Sequence, residues 1–215
     1  MSNLQMTYIL AEMAASHEGK PEIAEIIITA AAEGRADGIL FQIFNLDAYI
    51  VPSDEDYENL KKWCLDPGEW QKLIEKANSL GLDVWANVYD LASMELCRDS
   101  MIKGFKLHSS NLENEELLGE VVKLQKALQL SVGGMGKEEI QKTLSLVHSI
   151  DQKARLHLMY GLQNFPTNPE GINLNFISEL SEELNIPFGY QDHSEPTSSF
   201  SSSSWHISYT LKYSF

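Results

Sequence analysis

The sequence predicts an α/β protein of the β/α-barrel class, and three observations lead to this prediction. Short apolar runs recur along the chain, each run ends in polar residues, and a helical pattern follows it. The seven runs are Tyr8–Glu12, Gly38–Gln42, Asp83–Asn87, Gly104–His108, Gln129–Gly133, Arg155–Tyr160 and Ile186–Asp192. This alternation predicts parallel strands whose polar ends gather at one mouth, where such barrels carry out chemistry. No eighth parallel strand is recognisable, so we predict a (β/α)8 TIM-type barrel that is incomplete, with its last strand missing or degenerate.

Composition restricts the class of protein further. The 215 residues include 43% hydrophobic and 22% charged residues, which is ordinary for a globular domain. The formal net charge of −15 argues against nucleic-acid binding but leaves room for an anionic substrate in a locally positive pocket. We recognise neither an apolar run of the roughly 20 residues that cross a bilayer nor a signal-peptide pattern. Cys64 and Cys97 have no metal-ligand spacing, so we expect reduced thiols in a cytoplasmic protein.

Capping signals in the sequence support the predicted helices. The first begins near Pro21, a favoured first helical residue, and ends at Gly34. Its apolar residues are expected to be buried: Ile23, Ile26, Ile27, Ala30 and Ala31. Asp66 and Glu69 form a variant capping box that opens another helix. Further N-caps or helices are predicted at Asp90, Asn114, Lys137–Ser149 and Leu174–Leu184.

Two segments depart from the regular pattern. Asn45–Leu65 is a long acidic and aromatic loop at the catalytic end of a strand, where it is either functional or a solvated excursion. The Ser-rich tail, residues 198–215, lacks caps and a clear alternation of strand and helix. It fits a poorly formed helix, a truncation or a change of reading frame. We therefore divide the chain into a barrel domain, residues 1–197, and an anomalous tail.

The fourth predicted strand carries the most informative lysine. Alternation puts Lys106 and His108 on one face and Phe105 and Leu107 on the other. A lysine inside a barrel is costly unless an anion or a carboxylate meets it. Lys106 is therefore a candidate ligand for phosphate or carboxylate, with a structural ion pair to Glu12 or another inward acid as the alternative.

Other strand ends offer weaker candidates. Glu12 is placed to act as a general acid or base, or to orient a sugar hydroxyl. His193 is a candidate metal ligand, with Asp192 able to co-ligate the metal or orient the imidazole. His17 either joins this site or bonds the loop backbone. Gly133–Gly136 either presents backbone amides to an anion or forms a tight turn.

Six segments in order resemble the sialic-acid synthase (NeuB-like) family of phosphoenolpyruvate-dependent sugar-acid synthases, over roughly Tyr8 to Thr197. They are Ala11–Gly19 (like AExxxNHxG), Ala36–Gln42 (like GADAVKFQ), Phe105–Leu112 (like FKxxSxDL), Gly133–Met135 (like STGM), Asn164–Thr167 (like SYPTP) and Gly189–His193 (like GYSDH). Each match is weak by itself, but six in the family's order are typical of homology.

The resemblance implies an aldol-like condensation. The enol carbon of phosphoenolpyruvate attacks the aldehyde of an N-acetylated sugar such as N-acetylmannosamine, and a divalent metal (Mn²⁺ or Mg²⁺) polarises that aldehyde. Water then adds to the resulting cation, and phosphate leaves by C–O cleavage. It implies a sugar-binding or proton-transfer role for Glu12, phosphoenolpyruvate contacts for Lys106 and Ser109, and metal binding for His193. The substrate-binding residues that it implies are Gln42, Asn87, Lys106, Ser109, Gln163, Phe165 and Gln191.

The chain also departs from the family pattern. Leu40 stands where a lysine is expected, and this removes a charge-assisted contact to the anionic substrate. Asn87, Asn111, Val132 and Gln191 also differ from the pattern. We recognise neither the second metal histidine nor the C-terminal antifreeze-like (SAF) domain, which in the family lends an arginine to a partner's site. We therefore expect weak or no synthase activity from this chain by itself.

Two other functions stay open. One is a non-catalytic fragment or pseudoenzyme that binds a partner or a sugar ligand. The other is a Schiff-base aldolase that uses Lys106 as its nucleophile. An incomplete barrel would expose two sheet edges, which favours self-association, and a homodimer is a candidate assembly.

Overall fold

The computed structural model describes residues 7–164, 166–193 and 206–210. The strands are β1 (Tyr8–Glu12), β2 (Gly38–Ile43), β3 (Asp83–Val88), β4 (Gly104–Leu107), β5 (Ala127–Ser131), β6 (Leu156–Tyr160), β7 (Phe188–Tyr190) and β8 (His206–Thr210). The helices are α1 (Pro21–Glu33), α2 (Leu46–Tyr49), α3 (Tyr57–Lys61), α4 (Pro67–Ser79), α5 (Leu91–Arg98), α6 (Glu115–Lys123), α7 (Lys137–Ile150) and α8 (Leu174–Leu184). Strands β1 to β7 are parallel neighbours in chain order within a curled sheet and alternate with helices, which confirms the predicted fold class.

The eighth position of the sheet is filled by a strand from the tail. Strand β8 pairs antiparallel with β1, with a register that runs from Tyr8 opposite Thr210 to Glu12 opposite His206. It also lies close to β7 at the other end of the sheet order. We did not predict this strand, because the surrounding serines obscure the alternation of Ile207 and Tyr209 with polar residues. A short antiparallel strand thus stands where a complete barrel has a parallel one.

Helix ends follow the predicted capping signals. Pro21 opens α1 and Gly34 caps its C-terminus. The backbone N–H of Asp66 donates to Glu69 Oε2 at 2.9 Å, as a capping box requires. The predicted N-caps also form: the side chain of Asp90 accepts from the backbone N–H of Ser93, and that of Asn114 from the backbone N–H of Leu117.

One burial prediction for α1 is wrong. Ile26 is 66% exposed, and the buried residues are Ala24, Ile27, Ile28 and Ala31. These four recur at spacings of three and four residues and so form a single stripe, whereas Ile26 lies outside it.

The apolar core has two parts separated by the sheet. The larger part lies between the strands and the helices. The smaller part fills the barrel interior with the buried side chains of Leu10, Leu40, Trp85 and Ala127, against which Tyr8 packs. Burying each large apolar side chain contributes about 1.5–3 kcal/mol, so this interior cluster forms a stable floor. The candidate site lies above that floor.

Both cysteines are free; Cys97 is buried and Cys64 is half-buried. Of the helices in the described ranges, none has the length and apolar character needed to cross a membrane.

Candidate active site

A polar layer lies directly above the apolar floor. The ladder aligns Gln42 with Asn87, Asn87 with Lys106, Lys106 with Gln129, and Gln129 with His157. Residues aligned across a parallel sheet share one face, and the alternate residues Phe41, Ala86 and Phe105 belong to the core on the helix side. The structure therefore brings Gln42, Asn87 and Lys106 together near the carboxyl ends of β2, β3 and β4, whereas His157, the second residue of β6, lies lower, against Trp85 of the floor.

The centre of this layer is a buried ion pair. Lys106 Nζ lies 3.4 Å from Glu12 Oε2, and the two side chains are 3% and 8% exposed. Gln42 Nε2 donates to the other carboxylate oxygen, Glu12 Oε1, at 2.5 Å. Burial alone would raise the pKa of the Glu12 carboxyl, but Lys106, Gln42 and His193 together hold that pKa below its usual value. Glu12 is therefore an oriented carboxylate at neutral pH.

His193 completes this group. Its charge is one of the influences that lower the pKa of Glu12, so Lys106, Glu12 and His193 share one neighbourhood. The His193 Nδ1 atom lies 2.6 Å from the carbonyl oxygen of Leu162, which can only accept a hydrogen bond. The Nδ1 atom therefore carries a proton, and a metal ion bound by this ring would be bound through Nε2.

The other predicted substrate-binding residues are placed as follows. Ser109 begins a short 3-10 turn directly after β4. Gln163 Oε1 accepts from His108 Nε2 at 2.9 Å, and buried Gln191 accepts from Ser131 Oγ at 3.0 Å. Asn87 is buried and donates to the Tyr89 hydroxyl at 3.0 Å. Phe165 lies outside the described residues.

Several residues of the mouth were not among the predicted site residues. Gln129 and Ser131 are polar inward positions of β5, and their alternation with Leu128 and Leu130 is a signal that could have identified them. Burial and then the charge of Glu12 raise the pKa of the Tyr89 hydroxyl, so Tyr89 also lies close to the carboxylate. An aromatic wall at the mouth was missed because its members come from separate loops.

That aromatic wall consists of Phe44, Tyr49 and Tyr89, beside His108. The Tyr89 ring packs edge-on against Tyr49 at 5.3 Å and against Phe44 at 6.4 Å, and lies 6.2 Å from the His108 ring. Tyr49 is carried by α2, so part of the Asn45–Leu65 loop reaches the mouth. Residues 53–56 are exposed, as expected of a solvated excursion, and the functional interpretation of the loop stays a prediction.

His17 and the glycine segment have local structural roles. The His17 side chain is 2% exposed, accepts from the Gly19 backbone N–H at 3.1 Å and packs edge-on against Trp70. A Cβ at Gly133 would lie 1.9 Å from the Gly161 carbonyl oxygen, and Gly134 has a φ of +83°. These contacts favour the loop-backbone and tight-turn interpretations.

The described residues do not form a metal site by themselves. Within the described ranges, no group of three or more His, Cys, Asp and Glu side chains is arranged to hold a metal ion. On β8, the backbone places His206 opposite Glu12 in the ladder. The described residues near His193 therefore provide fewer than the three protein ligands that a catalytic metal ion usually has.

Comparisons with known proteins agree with this architecture. The model of the NeuB family matches residues 27–203. An uncharacterised protein of Methanocaldococcus jannaschii is 30% identical over 187 residues, covering 87% of this chain and 55% of that protein. The N,N'-diacetyllegionaminic acid synthase of Legionella pneumophila is 26% identical over 203 residues, covering 86% and 57%. The chain thus spans a little over half the length of these relatives.

A solved structure supports the fold. The N-acetylneuraminic acid synthetase of Leptospira borgpetersenii superposes with a TM-score of 0.84 at 23% identity, covering 92% of this chain and 70% of that one. The structural likeness and the family match over most of the chain agree. This chain belongs to the NeuB family.

Proposed function

We propose that this chain carries a nonulosonic-acid synthase-type site, which condenses phosphoenolpyruvate with the aldehyde of an N-acetylated hexosamine. The observation that carries the proposal is the buried Lys106–Glu12 pair with His193 beside it, at the carboxyl ends of the strands. Membership of the NeuB family and the sugar-acid synthases among the relatives support the same chemistry.

Each residue has a role that follows from its contacts. The Lys106 ammonium attracts the anionic substrate, and Glu12 accepts or returns a proton, or orients a sugar hydroxyl. Gln42 fixes the orientation of the carboxylate through its hydrogen bond to Oε1. Ser109, Gln163, Gln191 and Phe165 complete the proposed set of substrate contacts.

Dependence on Mn²⁺ or Mg²⁺ is part of the proposal. A divalent metal supplies Lewis-acid polarisation of the aldehyde when it is bound. His193 is the ligand we propose, because it lies beside Glu12 and Lys106 and its Nδ1 is oriented by the Leu162 carbonyl oxygen. The described residues near His193 provide fewer than three metal ligands, so the proton transfers assigned to Glu12 do not depend on the metal.

We expect turnover by this chain alone to be weak. Leu40 is fully buried in the apolar floor with Trp85, so it gives no second positive charge beneath Lys106. The positive charge of Lys106 is itself balanced by the negative charge of Glu12. Attraction of a phosphate-bearing substrate is therefore limited.

The test is phosphate release from phosphoenolpyruvate with Mn²⁺ and N-acetylated hexosamines. We expect phosphate release at a rate well below the roughly 1–10³ s⁻¹ of typical enzymes. The rate should fall further in Lys106→Met and in Glu12→Gln. It should stay unchanged in the control Lys137→Met, which removes an exposed ion pair with Glu183. Turnover at ordinary rates would contradict the weak-activity proposal. Equal activity in the parent and Lys106→Met would contradict the site.

A non-catalytic ligand-binding protein is the second candidate, favoured by the compensated charge of Lys106. Absence of Mn²⁺ binding in a titration, together with sugar binding, would favour it. The Schiff-base aldolase is disfavoured because Lys106 Nζ is engaged by the Glu12 carboxylate, whereas a Schiff-base lysine must direct its amine at a carbonyl carbon. A covalent adduct at Lys106 after borohydride treatment with a carbonyl substrate would reverse that judgement.

Cytoplasmic location and a homodimer are also proposals. The free cysteines fit a reducing compartment. Sedimentation of the purified chain would show whether it is a dimer.

A further inference from the structure

We infer that a cavity at the amino-terminal face of the barrel, opposite the mouth, binds a small phosphate-bearing molecule through Lys126, Lys153 and Arg155. This second site is separate from the proposed active site, and the inference does not depend on the proposed function.

The place of the cavity follows from where its cations stand in the chain. Lys126 directly precedes β5 and Arg155 directly precedes β6, and these two strands are parallel neighbours. Both residues therefore lie at the amino-terminal edge of the sheet, whereas the mouth lies at the carboxyl ends of the strands. Together with Lys153 they line a cavity of about 250 Å³ between the turns that follow α6 and α7.

The side chains of Arg155 and Lys153 have donors that the protein does not use. Arg155 Nη2 donates to the carbonyl oxygen of Gln125 at 3.2 Å, and the other N–H groups of the guanidinium have no acceptor among the residues that the structure describes. The exposed Lys153 side chain has neither a hydrogen bond nor a salt bridge within that same part of the chain. Both can therefore turn to a ligand without breaking an ion pair.

Lys126 is held in place by the backbone. Its Nζ donates to the carbonyl oxygens of Ser100 and Ile102 at 3.0 and 3.4 Å. These bonds fix the half-buried ammonium at the cavity wall, and no carboxylate of the described ranges forms a salt bridge with it. An ammonium has three donors, so one is left for a ligand.

The local charge is positive in a protein whose net charge is −15. The three cations share the cavity with one carboxylate, Asp151, whose Oδ1 accepts from the backbone N–H of Lys153 at 2.9 Å. The carboxyl ends of α6 and α7 also lie at this face, and each carries roughly half a negative charge. The positive charges therefore exceed the negative ones by about one, and a bound anion would balance that excess.

The shape and chemistry of the cavity favour a phosphate with a short organic part. The Arg155 guanidinium presents paired N–H groups that match two oxygens of a phosphate, and the ammonium groups add charge. Val122 and Leu128 form an apolar wall that can contact the organic part. The cavity is slightly smaller than the roughly 300–1,000 Å³ of typical ligand pockets, which limits the ligand to a small molecule.

The test is calorimetric titration of the whole chain with inorganic phosphate, glycerol 3-phosphate and malonate, with the ionic strength held constant by NaCl. We expect both phosphate compounds to bind, glycerol 3-phosphate more tightly because of the apolar wall, and malonate to bind at least tenfold more weakly than glycerol 3-phosphate. Malonate binding as tight as that of both phosphate compounds would overturn the assignment of the ligand class.

Variants locate the binding. Arg155→Met should weaken the binding of glycerol 3-phosphate about tenfold, the loss of one charge-assisted contact. Lys153→Met should weaken it about threefold, since this side chain is exposed. Lys142→Met removes an exposed lysine of α7 that does not line the cavity, so this matched control should bind normally.

The melting temperature without ligand checks the folding of each variant. Lys153→Met removes no contact that the described residues make, so its melting temperature should equal that of the parent, and it keeps the test valid if Arg155→Met unfolds. No binding of either phosphate compound by the parent would overturn the inference. Unchanged affinity in the folded cavity variants would place the phosphate elsewhere, the mouth included, and would overturn it as well.

Discussion

Two lysine–carboxylate pairs lie on opposite sides of the interior floor and differ in almost every property. Lys103 Nζ contacts Asp83 Oδ2 at 2.5 Å, and the two side chains are 29% and 39% exposed. Lys106 contacts Glu12 at 3.4 Å and both are buried. Asp83 also accepts from the Tyr8 hydroxyl, which accepts from Trp85 Nε1. The polar atoms of the Lys103 network bond one another, whereas the Lys106 layer contains two buried oxygens, Asn87 Oδ1 and Gln129 Oε1, without a partner among the described residues.

The difference between the two pairs is the basis on which we propose a structural role for the Lys103–Asp83 pair and a functional role for the Lys106–Glu12 pair. A pair that serves the fold has short contacts and partners for its polar atoms. The pair to which we assign a functional role is buried, has a longer contact and lies beside buried oxygens that have no partner among the described residues. The predictions below test that distinction.

The largest effect is expected for Lys106→Met. Removing the ammonium leaves the Glu12 carboxylate buried without its charge partner, which costs about 3–5 kcal/mol. The free energy of unfolding in urea measures this loss. A loss below about 1 kcal/mol, the range of exposed pairs, would mean that the pair is solvated and not buried.

A pH effect of similar size is expected at His157. Burial, with smaller contributions from Lys103 and Arg155, lowers the pKa of His157 to about 4, so its folded form stays neutral below its usual pKa of 6.5. The unfolded chain binds more protons between these values, so stability is lost as the pH falls from 6.5 to 4. At about 1.36 kcal/mol per pKa unit, the loss is about 3 kcal/mol.

Urea titrations at several pH values test this effect. His157→Gln should flatten the part of the pH dependence between 6.5 and 4. An equal slope in both proteins would show that His157 titrates normally.

A smaller effect is expected for Tyr8→Phe. The change removes the hydroxyl between Asp83 and Trp85, and it leaves the buried Trp85 Nε1 without that acceptor. We expect a loss of about 1–3 kcal/mol in unfolding free energy with sugar binding unchanged. Weakened sugar binding would show that the two sides of the floor are coupled.

The smallest effect is expected for Lys103→Met. Its partly exposed ion pair contributes about 0–1 kcal/mol, and Tyr8 still donates to Asp83. Urea unfolding should therefore distinguish it clearly from Lys106→Met. Comparable losses in the two variants would remove the basis of the comparison.

Sequence periodicity predicted the seven parallel strands because each run combines apolar residues with a polar end and a capped helix. It also placed Lys106 and His108 on one face, because alternate residues of a strand point to the same side of the sheet. It could not show that Leu40 and Trp85 fill the interior together, because that contact depends on the curvature of the sheet. The unsatisfied oxygens of Asn87 and Gln129 were equally inaccessible, since they depend on which donors are already in use.

Strand β8 shows a different limit. Its pairing with β1 is set by two distant segments, so a Ser-rich sequence gives little sign of it. The aromatic wall was missed for the same reason, as Phe44, Tyr49 and Tyr89 meet only in three dimensions.

A double-mutant cycle on Lys106 and Glu12, read as unfolding free energy in urea, tests the central claim most directly. If the two groups form one buried pair, Lys106→Met together with Glu12→Gln should cost less than the sum of the single losses by about 1–3 kcal/mol. Additive losses would show that ammonium and carboxylate do not interact, and the assignment of this mouth as a site would fail.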